Sequence, residues 1–235
     1  MSSKALTLIL SGLFCSAAMA QQTPEGRLYT PGPFERLEID GSAKVRLSQG
    51  DRDQVFIAGD EQVQEGVEVS LSGNRLEIHP NGGWKFWNSK RMQIDIQLRK
   101  LSQLNMSGAS DLLAHGPIRA EKLTISISGA GQVRFDDLSA EVLRFDVSGA
   151  GDGQLTGSAA DLGISISGKG KLQAQDLRAT KANVSISGVG NATLWVAENL
   201  NVSISGIGKV EYWGQPLVRK RSDGLGSVSA LGDKR

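Results

Sequence analysis

The sequence has almost no cysteine or histidine. Its only cysteine, Cys15, lies in an apolar segment at the N-terminus. Without that segment the chain has no thiol, so it cannot form a disulfide and must be stabilised by its core alone. The two histidines, His79 and His115, are far apart and do not have the spacing of zinc ligands. We therefore expect no metal and no cofactor.

An excess of charge of either sign is also missing. The chain has 26 Lys and Arg residues and 25 Asp and Glu residues; without Lys4 of the N-terminal segment the basic count is 26 − 1 = 25. This balance argues against nucleic acid as a partner, because phosphate binding needs a concentrated basic surface. No segment after residue 20 is long and apolar enough to cross a bilayer, which predicts no integral membrane segment.

Residues 1–20 have the pattern of a cleavable signal peptide. Lys4 is followed by the apolar run "ALTLILSGLF", and "AMA" ends in small residues before Gln21. We expect export to the periplasm or cell surface of a bacterium, with residues 21–33 as an N-terminal extension. Lipidation at Cys15 is an alternative, but Phe14 does not match the small residue required before a lipidated cysteine.

Glycine, in contrast, is frequent and recurs at a regular interval. The phrase "NVSISGVGN" at 183–191 returns as "NVSISGIGK" at 201–209. A period near twenty residues indicates a stacked repeat architecture. The repeats place glycines 18 to 21 residues apart, and we assign them to structural turns: Gly108, Gly129, Gly149, Gly168, Gly188 and Gly206.

Apolar and polar residues alternate before and after each glycine. Leu123, Ile125 and Ile127 alternate with Thr and Ser, and Val133 and Phe135 follow the turn. Strict alternation predicts strands with one buried and one solvent-exposed face. Each repeat is therefore predicted to be a strand, a tight turn and a strand, with glycine supplying a positive φ angle.

Identical residues at identical offsets favour coils stacked in register over a meander of hairpins. We predict an all-β fold, a single-domain parallel β-solenoid over residues 34–230, with about nine coils of 18–21 residues. "LEIDGSAKVRL" and "VEVSLSGNRLEI" read as degenerate coils of the same template, which extend to about residue 100. Residues 231–235 form a C-terminal tail. Ile186 and Ile204 should lie on adjacent parallel strands.

The opening phrase "FERLEIDGSAKVRLSQGD", the later "NRLEIHP" and the tandem "SISGAG" units resemble the bacterial putative autotransporter adhesin, head GIN domain family. The resemblance covers residues 34–230. It implies a β-helix of the pectin-lyase type, a role in adhesion and no identified catalytic residues. In contrast to a complete autotransporter, we expect no C-terminal membrane-barrel segment.

Two groups of aromatic residues are candidate contact sites. The first is in "HPNGGWKFWNSKR" at 79–91 and is either a lid over the solenoid or a binding loop: Trp84, Lys85, Phe86 and Trp87. Trp195 and Trp213 each lie seven residues beyond a turn glycine, so we expect them to stack in adjacent coils with their rings exposed. Such rings stack on sugars or pack against a loop.

The acidic residues of the repeats have different offsets and do not converge, so we assign no catalytic residue. The leading hypothesis is an exported, non-enzymatic β-solenoid, a cell-envelope or adhesin-like binding or structural module. Its partner would be a glycan or a cell-surface protein, and it could form a homo-oligomer. The alternative is a carbohydrate-active enzyme, a polysaccharide lyase or hydrolase, on the same scaffold.

Overall fold

The computed structural model describes residues 25–81 and 92–234. The predicted signal peptide and the candidate residues Trp84, Lys85, Phe86 and Trp87 lie outside these ranges. Within them the fold is almost entirely β. The first part of the chain forms short strands: β1 (Gly26–Tyr29), β2 (Arg36–Ile39), β3 (Ala43–Gln49), β4 (Gln54–Ala58), β5 (Val67–Ser72), β6 (Arg75–Pro80), β7 (Met92–Leu98) and β8 (Gln103–Met106). A short helix, α1 (Glu61–Glu65), separates β4 from β5.

Longer strands follow, and each of the first five runs around most of a coil. They are β9 (Asp111–Ile127), β10 (Ala130–Val147), β11 (Ala150–Ile166), β12 (Lys169–Ile186) and β13 (Val189–Ile204). Three shorter strands complete the C-terminal end: β14 (Ile207–Trp213), β15 (Leu217–Ser222) and β16 (Leu225–Gly232). Strand β16 therefore extends into the predicted C-terminal tail.

Successive coils stack as parallel strands in register. Ile186 on β12 pairs with Ile204 on β13, as the repeat predicts. The β-solenoid is therefore confirmed, but it has about six turns rather than nine. The regular turns begin only near Gly108; before that point the strands do not form consecutive coils.

Each regular coil has three sides, not the two that strand–turn–strand predicts. In β10 the buried residues alternate through Val133 and Phe135, skip to Leu138 and Ala140, and skip again to Leu143. At each of these two corners, consecutive buried residues are three positions apart instead of two. The extra residue lets the chain turn while the apolar side chains on both sides of the corner still point inward. The third corner is the Ser-Gly segment that joins one long strand to the next.

The N-terminal strands stack out of chain order. β2 lies between β6 and β8, and β3 lies between β7 and β9, all in parallel pairs. The inward positions match the template, because Leu37 pairs with both Leu76 and Leu104. The interpretation of "VEVSLSGNRLEI" as a degenerate coil of the same template is wrong for β5, because β5 and β6 form an antiparallel hairpin.

Antiparallel strands also close the N-terminal end of the solenoid. β4 pairs antiparallel with β7, and β1, from the predicted extension, pairs antiparallel with β4. The helix α1 was not predicted. Its N-cap is Asp60, whose side chain accepts a hydrogen bond from the Val63 amide at 3.1 Å.

The turn glycines form one continuous column, but a positive φ angle is not the reason that glycine is needed there. In the described residues, none of the six has a φ angle in the left-handed region. A Cβ atom on Gly168 would instead overlap the carbonyl oxygen of Gly149. That oxygen accepts a hydrogen bond from the Lys169 amide at 2.9 Å, and the same contact recurs from coil to coil. Glycine is required because successive corners approach too closely for any side chain.

The Gly168→Ala substitution should therefore destabilise the fold. Its methyl group would meet backbone atoms that cannot move without breaking the corner hydrogen bonds. We expect a loss of about 2 kcal/mol or more, the range for overpacking at a rigid site. Chemical denaturation would measure it, with Lys169→Ala, at the next and exposed position, as the control. Equal stability of Gly168→Ala and wild type would contradict the close-approach explanation.

Candidate functional site

One outward column of side chains runs along the short second side of the coils. Strand pairing places six residues in register from coil to coil: Arg119, Ser139, Ser158, Arg178, Trp195 and Trp213. The inward neighbours of the first four are small, since Ala120, Ala140, Ala159 and Ala179 follow them in the sequence. The column thus passes from cationic and hydroxyl groups to two stacked indole positions.

An open groove of about 680 Å³ lies along this column. Arg119 and Arg178 lie toward its two ends, and Ser139 and Ser158 line the coils between them. Glu121, Glu141 and Thr180 also line it. The arrangement offers hydrogen-bond donors and acceptors repeated at the inter-strand spacing of about 4.8 Å, followed by an aromatic ring. It suits an extended polar ligand with a repeating structure.

Arg119 is fixed at its end of the groove by several contacts. Its guanidinium donates to both carboxylate oxygens of Asp137, at 3.0 and 3.2 Å. The Gln49 side chain accepts from the Arg119 amide at 2.6 Å and donates to its carbonyl at 3.1 Å. The hydrogen bond from Arg119 lowers the pKa of Asp137 and, reciprocally, raises the pKa of Arg119. The cation is therefore positioned before any ligand binds.

Trp195 lies within cation–π distance of two positively charged side chains. The Arg178 guanidinium carbon lies 5.9 Å from the centre of the indole ring, and the Lys234 ammonium lies 5.1 Å from it. Lys234 also forms an ion pair with Asp176 at 2.6 Å. Lys234, near the C-terminus, therefore lies against Trp195, next to the Arg178 end of the groove.

The two tryptophans are adjacent, but they are not an exposed ladder. Trp195 and Trp213 pair in register on β13 and β14, and both are only partly exposed. Burial alternates through Leu194, Trp195 and Val196, so Trp195 does occupy an outward position, as expected. The side chains of Arg178 and Lys234 lie against its ring, which leaves it only partly exposed. Their role in binding stays a prediction.

The arginine and serine positions of the column were not identified from the sequence. The number of residues between each of these positions and the preceding turn glycine is not constant, because the strand register shifts at the corner between them. Counted backward from the following glycine, Arg119, Ser139, Ser158 and Arg178 all lie at ten residues, and the tryptophans lie at eleven. The constant distance to the following glycine could therefore have identified the arginine and serine column from the sequence.

Acidic and histidine residues form no metal site in the part of the chain that the structure describes. No group of three or more His, Cys, Asp or Glu side chains there could hold an ion. Asp146, on the outward face of β10, has its pKa raised by partial burial, and Arg144 opposes the shift. Ser128 and its equivalents Ser148, Ser167, Ser187 and Ser205 point outward and are exposed.

The sequence of the chain identifies its family. Residues 33–216 match the family described as "Putative auto-transporter adhesin, head GIN domain". This match covers most of the chain, so the protein belongs to that family. No curated protein matches the sequence. Within residues 25–81 and 92–234, no helix has the length and hydrophobicity of a membrane span.

Three solved structures of bacterial proteins share the fold. A putative adhesin from Bacteroides fragilis is 23% identical, with a TM-score of 0.84 over 89% of this chain and 98% of its own. A putative adhesin from Parabacteroides distasonis is 18% identical, with a TM-score of 0.73 over 89% and 97%. A protein described as a putative lipid binding protein, from the same species, is 20% identical, with a TM-score of 0.61 over 90% and 98%. These TM-scores establish the common fold.

The ion pair at the end of the groove predicts a pH dependence. The pKa of Asp137 is lowered on folding, so its pairing with Arg119 stabilises the fold above the unfolded pKa and is lost as the pH falls through the folded value. Asp137→Asn should therefore lower the thermal midpoint at pH 7 by a small amount, because the pair is exposed. The difference from wild type should disappear once the pH is low enough to protonate Asp137 in the folded state as well. A difference independent of pH would contradict this assignment.

Proposed function

We propose that this chain is an exported, non-enzymatic binding module of the bacterial cell envelope, and that its groove on the second side binds a glycan. The periplasm or the cell surface would be its location. Membership of an adhesin-like family supports a role in binding. The observation that carries the proposal is the groove lined from Arg119 to Arg178, which Trp195 follows in the same outward column.

The chemistry of the groove supports a glycan over other ligands. Serine, glutamate, threonine and arginine side chains donate to and accept from hydroxyl groups, and an indole stacks on the apolar face of a sugar ring. Repetition of the same column in successive coils suits a polymer, whose units would meet similar side chains along the axis. The groove is open and polar, unlike the enclosed, mostly apolar pockets that bind small molecules.

Arg119→Ala and Arg178→Ala should each weaken binding of the recognised polysaccharide about tenfold, because each removes a charged hydrogen-bond donor. Trp195→Ala should weaken it similarly. A glycan array would find the ligand, and calorimetry would compare variants. Arg134→Ala is a matched control: like Arg119, Arg134 is paired with an aspartate, and their side chains are 57% and 56% exposed. Equal losses for Arg134→Ala and Arg119→Ala, or no loss for any variant, would reject the groove.

A carbohydrate-active enzyme is the second candidate, and one observation favours it. Glu121 and Glu141 occupy equivalent positions in successive coils and line the same groove. Two carboxylates about 5 Å apart are the machinery of a retaining glycosidase. Both side chains are exposed to solvent, in contrast to the general acid of such an enzyme, which lies in an apolar pocket.

The two candidates differ in what they do to a bound polysaccharide. The binding module leaves the polymer intact, so we expect no new reducing ends and no unsaturated products after prolonged incubation. Release of reducing ends that is abolished by Glu121→Gln and by Glu141→Gln would establish the enzyme instead. Asp152→Asn, on another side of the solenoid, is the control substitution.

A further inference from the structure

Large exposed apolar side chains are concentrated near the C-terminal end of the solenoid. In the described residues, six exceed one third exposure, and only Leu28 lies at the other end: the remaining five are Val189, Ile207, Leu217, Leu225 and Leu231. Scattered exposed leucines need no explanation, but a cluster at one end of a repeat protein does. Neither the groove nor the core accounts for it.

Three of these residues form a continuous ridge. Val189, Ile207 and Leu225 pair in register at the corner that follows the turn glycine, and we call them the C-terminal ridge. Their exposure rises toward the end of the solenoid, from 48% through 54% to 77%. The same corner carries the smaller Ala130 and Ala150 and the charged Lys169 in earlier coils, so large apolar side chains occur at this corner only from Val189 onward.

Cationic side chains flank the ridge on both sides. Lys171 and Lys209 share one outward column on the side that follows this corner, and Arg219 and Arg221 point outward from β15, which precedes Leu225. Glu211 pairs with Lys209 at 2.7 Å, and Asp223 pairs with Arg221 at 3.0 Å. The acidic groups therefore offset only part of the positive charge.

The last coil also places a lysine where earlier coils place core residues. Lys220 pairs with Val202 and occupies the position of Val184 and Ile164 in the preceding coils. An inward-pointing charge on a terminal strand opposes pairing with another strand edge. Two such ends brought face to face would also oppose lysine to lysine. This end is thus poorly suited to a symmetric contact with a second copy.

We infer that the C-terminal ridge and its flanking cations dock the protein on the surface of an anionic membrane. The ridge is a convex corner, which no small ligand could enclose. An apolar strip between Lys and Arg side chains is the pattern of interfacial binding, in which leucines enter the headgroup region and cations contact lipid phosphates. The inference is independent of the glycan proposal, because it involves another corner of the coils.

Vesicle flotation of the full chain tests this surface, with all variants sharing the same N-terminus so that its contribution is constant. We expect stronger binding to vesicles of phosphatidylethanolamine and phosphatidylglycerol than to phosphatidylcholine, and a decrease at high salt. Arg219→Gln combined with Arg221→Gln should reduce binding to anionic vesicles about tenfold. Ile207→Ser combined with Leu225→Ser should reduce it at least as much.

Leu28→Ser is the matched control, since Leu28 is 56% exposed at the opposite end, close to the 54% of Ile207. It should leave vesicle binding unchanged. Equal binding to both lipid compositions, no binding, or an equal loss for Leu28→Ser would overturn the inference. So would light scattering that shows a wild-type oligomer dispersed by the ridge variants, because the ridge would then contact a second copy. Thermal melts of all variants would verify folding.

Discussion

The close stacking of each coil on the one before it is the constraint on which the rest of the structure depends. At the corner formed by the turn glycines, the backbones approach so closely that a Cβ atom on any of them would overlap the preceding coil. The corner amides bond to the glycine carbonyls of that coil, which fixes the register. In-register stacking then puts Leu123, Leu143 and Leu162 in one column and builds the core without disulfides.

The same constraint determines how this fold makes surfaces. An outward residue that recurs in successive coils forms a column of side chains along the axis of the solenoid. A binding surface on this fold is therefore built from several coils and not from one loop. The Arg119 to Trp213 column crosses six strands in this way. Where the residue at a repeated position changes, the surface changes as well. At the corner after the turn glycine, the first coils have alanine, the next has lysine, and the last coils have large exposed apolar side chains. Two different surfaces thus occupy separate parts of one regular scaffold.

The parallel stack and its inward residues could be predicted from the sequence. Coils that stack in register need the same apolar alternation and the same turn glycine in each repeat. The sequence did not predict the third side, whose corners are three-residue steps that shift the alternation at Asp136 and Asp137. The order of the N-terminal strands was also missed: Leu37 and Leu76 fit the same template, and pattern alone does not determine which coil lies above which. The groove was missed for the first of these reasons, since its residues follow a corner.

Cross-linking of neighbouring coils tests the register most directly. Asn183 and Asn201 are paired on adjacent strands, and their side-chain amides are 2.9 Å apart. With Cys15 replaced by serine, Asn183→Cys combined with Asn201→Cys should form a disulfide quantitatively, because parallel neighbours lie within the Cα range of about 4.4–6.8 Å. Asn183→Cys combined with Arg219→Cys, in the same column but two strands apart, should remain reduced. The reverse result would contradict the in-register solenoid.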